Sequence, residues 1–168
     1  THDRDEFLKK AIYSAINQTQ PPLEIIIVNN IPNKKTQEIV EQISAKSLVK
    51  INYFEHNMKG RGSISMNIAA SKATGRFIAF LDSDDYWHKD KLKIQIDFMI
   101  QNNIEFSYTN FFELDKENRV SKIILQPKSV NYYTLLFNNY IKTLTAIYDT
   151  KRIGKVYMPN YRKRQDWG

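Results

Sequence analysis

The sequence Phe77-Ile78-Ala79-Phe80-Leu81-Asp82-Ser83-Asp84-Asp85-Tyr86-Trp87 combines a buried strand with an acidic loop. Its five leading apolar residues predict a strand covered on both faces, as the strands of a parallel sheet are. Three carboxylates then follow within four positions. Because crowded carboxylates repel one another and raise each other's pKa, we expect a cation to bind among them.

The carboxylate oxygens of this loop are hard ligands that suit Mg²⁺ or Mn²⁺. Mg²⁺ is usually bound by one or two carboxylates together with the phosphates of a substrate. At the carboxyl end of a sheet strand, this arrangement predicts a nucleotide-diphosphate site. The alternative is that Asp84 or Asp85 caps the following helix, a position that Asp often occupies. The acidic residues alone leave both interpretations open.

Length and composition predict one domain spanning residues 1–168. A chain of 168 residues with 42% hydrophobic content can bury one core of ordinary size. Cysteine is absent, which excludes a disulfide framework and thiol redox chemistry. No apolar run approaches the roughly 20 residues that cross a bilayer. We therefore expect a cytoplasmic protein.

The chain is basic, with a net charge of +7 from 25 Lys and Arg against 18 Asp and Glu. Such a charge suits a phosphorylated substrate, nucleic acid or an anionic membrane surface. Apart from Lys9-Lys10 and Arg162-Lys163-Arg164 the basic residues are scattered, and no nucleic-acid-binding motif occurs. We expect no nucleic-acid partner. Peripheral contact with the inner membrane face is one interpretation of the charge, and a solvated basic surface is the other.

Hydrophobic periodicity alternates between helix and strand along the chain. The predicted helices are Glu6–Gln18, Thr36–Lys46, Ser63–Ala73, Lys91–Gln101 and Tyr132–Asn139. The predicted strands are Leu23–Val28, Val49–Phe54, Phe77–Leu81, Ile104–Phe112, Val120–Leu125 and Thr143–Tyr148. This order predicts an α/β fold with a parallel sheet covered on both faces. Ligands of such sheets bind beyond the carboxyl ends of the strands, so the loops after Val28 and Leu81 should share one rim.

Several short motifs occur in an order that is typical of one family. They are Phe7–Ile12 with Asn17-Gln18-Thr19, Leu23–Val28, Asn67-Ile68-Ala69, the run from Ala73 to Asp85, and Arg164-Gln165-Asp166-Trp167. Each motif is weak alone, but their order and spacing together are specific. With them the chain resembles the family 2 glycosyltransferases of the GT-A fold, the large bacterial group that builds surface polysaccharides. The similarity covers nearly all 168 residues.

The resemblance implies a GT-A fold, a Rossmann-like three-layer sandwich around a mostly parallel sheet. It also implies that the family's first strand is missing and that the chain is truncated at both ends. A sheet without that central strand would leave two strand edges unpaired. The implied activity is inverting transfer of a sugar from a nucleotide-diphosphate sugar, most often a UDP-sugar. The acceptor would be a hydroxyl of a glycan or of a lipid-linked molecule.

The resemblance also implies roles for the acidic residues. Asp82-Ser83-Asp84 matches the family's DxD motif, in which Asp84 would bind Mn²⁺ or Mg²⁺ between the two phosphates. Asp82 would contact the ribose or complete the metal site, and Asp85 would cap or brace the next helix. Asp166 matches the catalytic base of the family's Glu-Asp pair, although Gln165 stands in place of the Glu.

Other residues of the resemblance would bind the nucleotide sugar. Thr1-His2-Asp3-Arg4 matches the end of the family's first strand, where side chains border the base, and this implies the same role for His2 and Asp3. Arg61 and Asn67 would line the loop and helix that face the nucleotide. An ordinary surface or packing role is the alternative for both.

The Asn29-Asn30 pair departs from the family pattern. It matches a position where the family commonly has two aspartates, the second of which accepts a hydrogen bond from uracil. Asn30 keeps an acceptor oxygen without the charge. The alternative is that the pair forms an ordinary turn.

Two other functions remain open at the level of sequence. A nucleotide-sugar-binding domain without activity fits because the Asn29-Asn30 pair lacks both carboxylates. A nucleotidyltransferase shares the α/β plan and carboxylate-bound Mg²⁺. It should also carry a glycine-rich phosphate loop after its first strand, and the sequence shows none.

Overall fold

Helices and strands alternate along the chain, as the hydrophobic pattern predicts. The computed structural model describes residues 2–58, 62–115 and 117–159, without the side chains of His2 and Asp3. In order, the elements are α1 (His2–Ile16), β1 (Glu24–Asn29), α2 (Lys34–Ser44), β2 (Lys50–Glu55), α3 (Gly62–Lys72), β3 (Phe77–Ala79), α4 (Lys91–Gln101), β4 (Phe106–Ser107), β5 (Phe111–Leu114), β6 (Val120–Ile124), α5 (Tyr132–Phe137), a 3₁₀ turn (Thr143–Thr145), β7 (Ile147–Asp149) and α6 (Thr150–Ile153).

The strands form two ladders and a hairpin. β1 and β2 are parallel, from Glu24 opposite Lys50 to Asn29 opposite Glu55. β7 lies between β3 and β4 and is antiparallel to both, so β3 and β4 run in the same direction. β5 and β6 form a separate antiparallel hairpin. Within the described residues β1 pairs with β2 alone and β3 with β7 alone, which leaves the two open edges that the resemblance implies.

The two ladders lie beside each other because they share side-chain contacts. The carboxylate of Glu24, at the start of β1, accepts hydrogen bonds from the backbone N and Oγ1 of Thr74, both at 2.7 Å. Thr74 lies three residues before β3. Ile25 of β1 packs against the same hydrophobic cluster as Phe77 of β3.

Helices cover both faces of the strands. Successive residues of a strand point to opposite faces. Phe77 and Ala79 pack against a cluster from α1, α4, β7 and the segment before α4 that consists of Ala15, Trp87, Leu92, Met99 and Ile147. Ile78 packs against Ala70 of α3 instead. α2 joins α1 through a second cluster made of Ile12, Ile39, Val40 and Ile43. The result is a three-layer α/β/α arrangement, which confirms the predicted fold class.

Several predicted strands are shorter than the hydrophobic pattern indicates: β3 ends at Ala79 instead of Leu81 and β6 at Ile124 instead of Leu125, and two further strands differ more. The predicted strand Ile104–Phe112 is divided into β4 and β5, because the Gln95 amide of α4 donates to the Ser107 carbonyl at 3.2 Å and to its Oγ at 3.0 Å. The predicted strand Thr143–Tyr148 begins as a 3₁₀ turn, because the backbone N and Oγ1 of Thr145 both donate to the Lys142 carbonyl. In both places hydrogen bonds outside the ladder occupy groups that a longer strand would need.

Within the described residues, every helix is too short or too polar to cross a membrane.

An ion pair connects the start of β3 to the end of β7. Arg76 donates from Nε and Nη2 to Oδ2 of Asp149, at 3.0 and 2.7 Å. Asp149 is 1% exposed, and its Oδ1 accepts from the backbone N of Lys151 at 3.0 Å. The hydrogen bonds from Arg76, with a further contribution from Lys151, hold the pKa of Asp149 below its ordinary value.

We predict that Asp149→Asn lowers the melting temperature at pH 7 and flattens its decline in acid. An unfolded Asp has a pKa of about 3.9. Because the folded pKa is lower, the Asp149 carboxylate stabilises the fold above about pH 4 and loses this contribution as the pH falls through the folded value. Thermal melts between pH 7 and pH 3 measure both effects. Asp97→Asn is the matched control, since Asp97 meets Lys93 at 2.7 Å in an exposed pair. Equal effects from the two substitutions would contradict the prediction.

Candidate functional site

The acidic residues form a tight turn that is separated from β3 by Phe80 and Leu81. The backbone N of Asp85 donates to the carbonyl of Asp82 at 3.2 Å, which closes the turn. Asp84 is exposed, whereas Asp82 and Asp85 are half-buried. The predicted carboxylates therefore lie together at the end of the strand, where the α/β plan predicts a ligand.

The crowding of the carboxylates affects the pKa of Asp85. Burial first, and the charge of Asp84 second, raise the pKa of Asp85 above its ordinary value. A group disfavoured in this way by desolvation and a like charge would be stabilised in its ionised form by a nearby cation. The turn therefore favours cation binding.

The segment that follows the turn is anchored by Trp87, which is 9% exposed. Its backbone N donates to Oγ of Ser14 in α1 at 3.1 Å. Its indole Nε1 donates to the carbonyl of Leu144 at 3.0 Å. Because both contacts reach elements distant in sequence, the acidic turn ends at a fixed point between α1 and the segment before β7.

The side chain of Gln18 supplies hydrogen-bond partners to backbone groups at the amino end of α4. Its Oε1 accepts from the backbone N of Leu92 at 2.9 Å, and its Nε2 donates to the carbonyls of Ser14 and His88 at 2.9 and 2.8 Å. Gln18 is 4% exposed, so its side-chain amide would be buried without partners if these bonds were absent.

The helix-cap interpretation of the acidic residues is wrong. The N-cap residue of α4 is Asp90, five positions after Asp85, and among the described residues its side chain makes no capping hydrogen bond. A residue at 84 or 85 is too far from the first turn of α4 to cap it. Capping of α4 therefore does not account for Asp84 and Asp85.

Asn29 is the last residue of β1, and Asn30 follows it at the corresponding end of the other ladder. Asn29 Oδ1 accepts from the backbone N of Ile31 at 3.1 Å, which is the local turn that the alternative interpretation predicts. Its Nδ2 donates to the Tyr53 hydroxyl at 3.1 Å, and that hydroxyl donates to Glu55 at 2.6 Å. Burial and the bond to Glu55 raise the pKa of Tyr53 to about 12, so the phenol stays protonated. Asn30, the next residue in the chain, is half-buried.

Asn67 contacts the chain near its carboxyl end. Its Nδ2 donates to the Met158 carbonyl at 2.8 Å, and its Oδ1 accepts from the Met158 backbone N at 2.7 Å. This pair of bonds holds the segment after α6 against α3, across 91 positions of sequence. The predicted contact of Asn67 with a nucleotide stays a prediction.

The remaining predicted site residues are described in part or not at all. His2 and Asp3 form the first turn of α1, so the segment that was expected to end a strand is helical. Their side chains lie outside the description, as do Arg61 and the predicted catalytic base Asp166.

Asp82 and Asp84 are suitable ligands for Mn²⁺ or Mg²⁺. Among the described residues no cluster of three or more His, Cys, Asp or Glu side chains could hold a metal by itself. Two carboxylates in one turn, next to a third whose pKa is raised, fit a metal that takes its other ligands from phosphates and water. The donor set therefore fits a metal that binds together with a phosphorylated substrate.

Sequence reasoning missed a polar pair inside α4. Oε1 of Gln95 accepts from Lys91 Nζ at 2.6 Å, and its Nε2 also donates to the Thr145 carbonyl at 2.9 Å. Burial lowers the pKa of Lys91 to about 8. Gln95 lies between Leu92 and Met99 on the buried stripe of the helix, so its spacing in the sequence was the available signal.

A family model described as "Glycosyl transferase family 2" matches residues 1–157. The chain therefore belongs to glycosyltransferase family 2, as its motifs predict.

Two curated bacterial relatives match along most of the chain. TuaG from Bacillus subtilis, a glycosyltransferase assigned to teichuronic acid biosynthesis, is 33% identical over 168 residues, which are 99% of this chain and 66% of that protein. WfaP from Escherichia coli, a UDP-Glc:alpha-D-GlcNAc-diphosphoundecaprenol beta-1,3-glucosyltransferase, is 33% identical over 158 residues, 93% of this chain and 60% of that protein. The chain thus spans less than two thirds of the length of these relatives.

A solved structure shows the same fold. Residues 1–349 of TarS from Staphylococcus aureus, in complex with UDP, superpose with a TM-score of 0.75 at 22% identity. The match covers 98% of this chain and 50% of the TarS chain. This likeness confirms the GT-A fold that the resemblance implies.

We predict that Gln18→Leu destabilises the protein by about 2 kcal/mol or more. Leu fills the space of Gln but leaves the Leu92 backbone N and the Ser14 carbonyl without the partner that Gln18 supplies, and a buried unpaired polar group costs about 1–3 kcal/mol. The His88 carbonyl still accepts from the Lys91 backbone N at 3.0 Å. Urea unfolding measures the loss. Gln20→Leu is the control, because Gln20 is exposed two positions away. A loss no larger than that of the control would show that the buried amide is not needed.

Proposed function

We propose that this chain is the catalytic domain of an inverting glycosyltransferase. It transfers a sugar from a nucleotide-diphosphate sugar, a UDP-sugar first among the candidates, to a hydroxyl of a glycan or lipid-linked acceptor. The acidic turn at the end of β3 carries the proposal, because its carboxylates lie where an α/β sheet binds ligands and do not cap α4. Family membership gives the reaction class.

The relatives support the proposed substrates. The name of WfaP specifies UDP-glucose as the donor and a sugar linked to diphosphoundecaprenol as the acceptor. TarS is a poly(ribitol-phosphate) beta-N-acetylglucosaminyltransferase, and its structure holds UDP. TuaG is assigned to teichuronic acid biosynthesis. We therefore place the reaction in surface-polysaccharide biosynthesis, at the cytoplasmic side of the membrane and with peripheral contact to it.

The acidic turn would hold the metal and the donor. Asp84 and Asp82 would bind Mn²⁺ or Mg²⁺ together with the two phosphates of the donor. A divalent metal bound there would neutralise charge that develops on the departing diphosphate. Asn30, His2, Asp3, Arg61 and Asn67 are proposed to bind the rest of the nucleotide sugar.

Asp166 would act as the general base. It would take the proton from the acceptor hydroxyl while that oxygen attacks the anomeric carbon from the side opposite the leaving phosphate. General-base catalysis contributes about 10²–10⁴-fold to a rate. The in-line arrangement of attacking and leaving oxygens is a separate positioning effect. The Arg-Gln-Asp-Trp sequence around residue 166 supports this role.

A binding domain without activity is the second candidate. The observation in its favour is the Asn29-Asn30 pair, where Asn29 is engaged in a local turn and in the contact with Tyr53. An amide there can still accept a hydrogen bond from a base. Turnover of a nucleotide sugar by the protein decides between the two candidates.

We predict that Asp84→Asn weakens metal-dependent donor binding at least tenfold. The substitution removes a negative charge from the proposed metal site but keeps the size of the side chain. Calorimetric titration of UDP-sugars with and without Mn²⁺ measures the effect in the protein expressed from its whole gene. Asp90→Asn is the control, since Asp90 lies six positions away at the start of α4. Donor affinity that does not depend on Mn²⁺ in either protein would count against the metal role.

We predict that Asp166→Asn lowers transfer by about 10²–10⁴-fold and leaves donor affinity nearly unchanged. The amide cannot accept the proton of the acceptor, but it does not alter the metal site. Single-turnover rates and donor titrations separate the two quantities. Gln165→Glu, which restores the family's acidic pair, should remain active. Near wild-type turnover in Asp166→Asn would refute the assignment of the base.

A further inference from the structure

An open groove of about 550 Å³ lies along the outer face of α1. Tyr86, Trp87 and Lys89, which follow the acidic turn, line one side of it, and Asn118, between β5 and β6, also lines it. Its volume is within the range of ordinary small-ligand sites. The proposed function and the predicted site residues make no use of this groove.

Hydrogen bonds fix the walls of the groove. The Trp87 backbone N donates to Ser14 Oγ at 3.1 Å, and the Lys89 carbonyl accepts from the Thr19 backbone N at 2.8 Å. Both bonds hold the Tyr86–Lys89 segment against α1. Asn118 adopts a φ of 60°, and its side chain accepts from Lys10 Nζ at 3.4 Å. The groove is therefore part of the folded structure and does not depend on a freely moving loop.

The lining carries an excess of positive charge. It includes Lys9, Lys10 and Lys89 but a single acidic residue, Glu6. Glu6 is engaged by Lys9, whose Nζ donates to it at 2.9 Å. In the described part of the chain, neither Lys10 nor Lys89 forms an ion pair with a carboxylate. Lys10 Nζ donates one bond to the Asn118 side chain, and an ammonium group has three donors, so Lys10 and Lys89 both keep donors for an anionic ligand.

Two tyrosine rings also line the groove. Tyr13 of α1 is 46% exposed and Tyr86 of the opposite wall is 39% exposed. A rigid aromatic face with a polar hydroxyl at its edge suits a ligand that is partly apolar and partly hydrogen-bonding. A sugar ring presents such a surface, whereas inorganic phosphate or a simple salt ion does not.

We propose that this groove binds a sugar phosphate, with the ring against Tyr13 and Tyr86 and the phosphate at Lys10 and Lys89. The proposal rests on the proposed function in one respect, since it makes the groove the subsite for a phosphate-bearing acceptor. Tyr86 of the groove lies two positions after Asp84 in the sequence, so one short segment supplies residues to both the acidic turn and the groove. Lysine ammonium groups bind phosphate through charge-assisted hydrogen bonds, which are stronger than neutral ones.

Calorimetric titration of the protein expressed from its whole gene tests the site. The probes are N-acetylglucosamine 1-phosphate, N-acetylglucosamine and inorganic phosphate, all at one ionic strength. We expect the sugar phosphate to bind at least tenfold more tightly than either of the other two. Equal affinity for inorganic phosphate would overturn the role of the tyrosines, and so would unchanged affinity in Tyr86→Ala. Competition by UDP with Mn²⁺ would assign the binding to the donor site and overturn the proposal.

A charge-matched pair of variants separates a site from general attraction. Lys10→Gln/Lys89→Gln should weaken sugar-phosphate binding about tenfold or more, because two charge-assisted contacts are lost. Lys46→Gln/Lys128→Gln removes the same charge from exposed positions outside the groove and should change affinity less than twofold. Equal losses from the two double variants would show diffuse attraction and refute the site.

Activity measurements distinguish this proposal from the proposed function. In Lys10→Gln/Lys89→Gln the KM for a phosphate-bearing acceptor should rise, while hydrolysis of the donor without acceptor stays at the wild-type rate. An unchanged acceptor KM would refute the groove and leave the transferase in place. Sugar-phosphate binding in a protein that neither transfers nor hydrolyses any nucleotide sugar would refute the transferase and leave the groove in place.

Discussion

The buried amide of Gln18 is the contact on which the arrangement of the candidate site depends. It bonds the end of α1, the segment after the acidic turn and the first turn of α4 at the same time. A helix amino end has several backbone N–H groups without partners inside the helix. Burying that end is favourable only when another element supplies acceptors. Because Gln18 does so, α4 can begin inside the protein, and the acidic turn can end at a rigid boundary.

The acidic turn is held at both ends by different interactions. Before it, β3 is fixed by pairing with β7 and by the ion pair of Arg76 with buried Asp149. After it, Trp87 is fixed by hydrogen bonds to Ser14 and Leu144. A metal site gains affinity when its ligands are positioned before the metal binds. The seven residues between the end of β3 and Trp87 satisfy this condition, although the carboxylates themselves remain crowded and Asp85 is disfavoured in its ionised form.

Local signals in the sequence predict most of the fold, and contacts between distant residues explain the rest. The bounds of α4 agree with the predicted Lys91–Gln101, because its apolar spacing is regular and its ends are polar. The acidic turn after β3 is equally local. By contrast, the division of Ile104–Phe112 depends on Gln95. The engagement of Asn67 depends on Met158, 91 positions away. Periodicity within one segment does not report contacts between distant residues. The predicted strand Ile104–Phe112 was therefore too long, and the contact of Asn67 with Met158 was not predicted.

Charge explains why the proposed reaction would use both an acidic turn and a basic groove. In the proposed reaction two anions, the donor diphosphate and a phosphate-bearing acceptor, must approach within one site. Their repulsion would be strongest where water is excluded, since the Coulomb energy rises as the effective dielectric constant falls. A cation at Asp84 would screen the donor, but Asp84 is not among the residues that line the groove, so that cation would not contact an acceptor phosphate bound there. Lys10 and Lys89 would screen the second anion separately, which keeps the two substrates from competing for one positive charge.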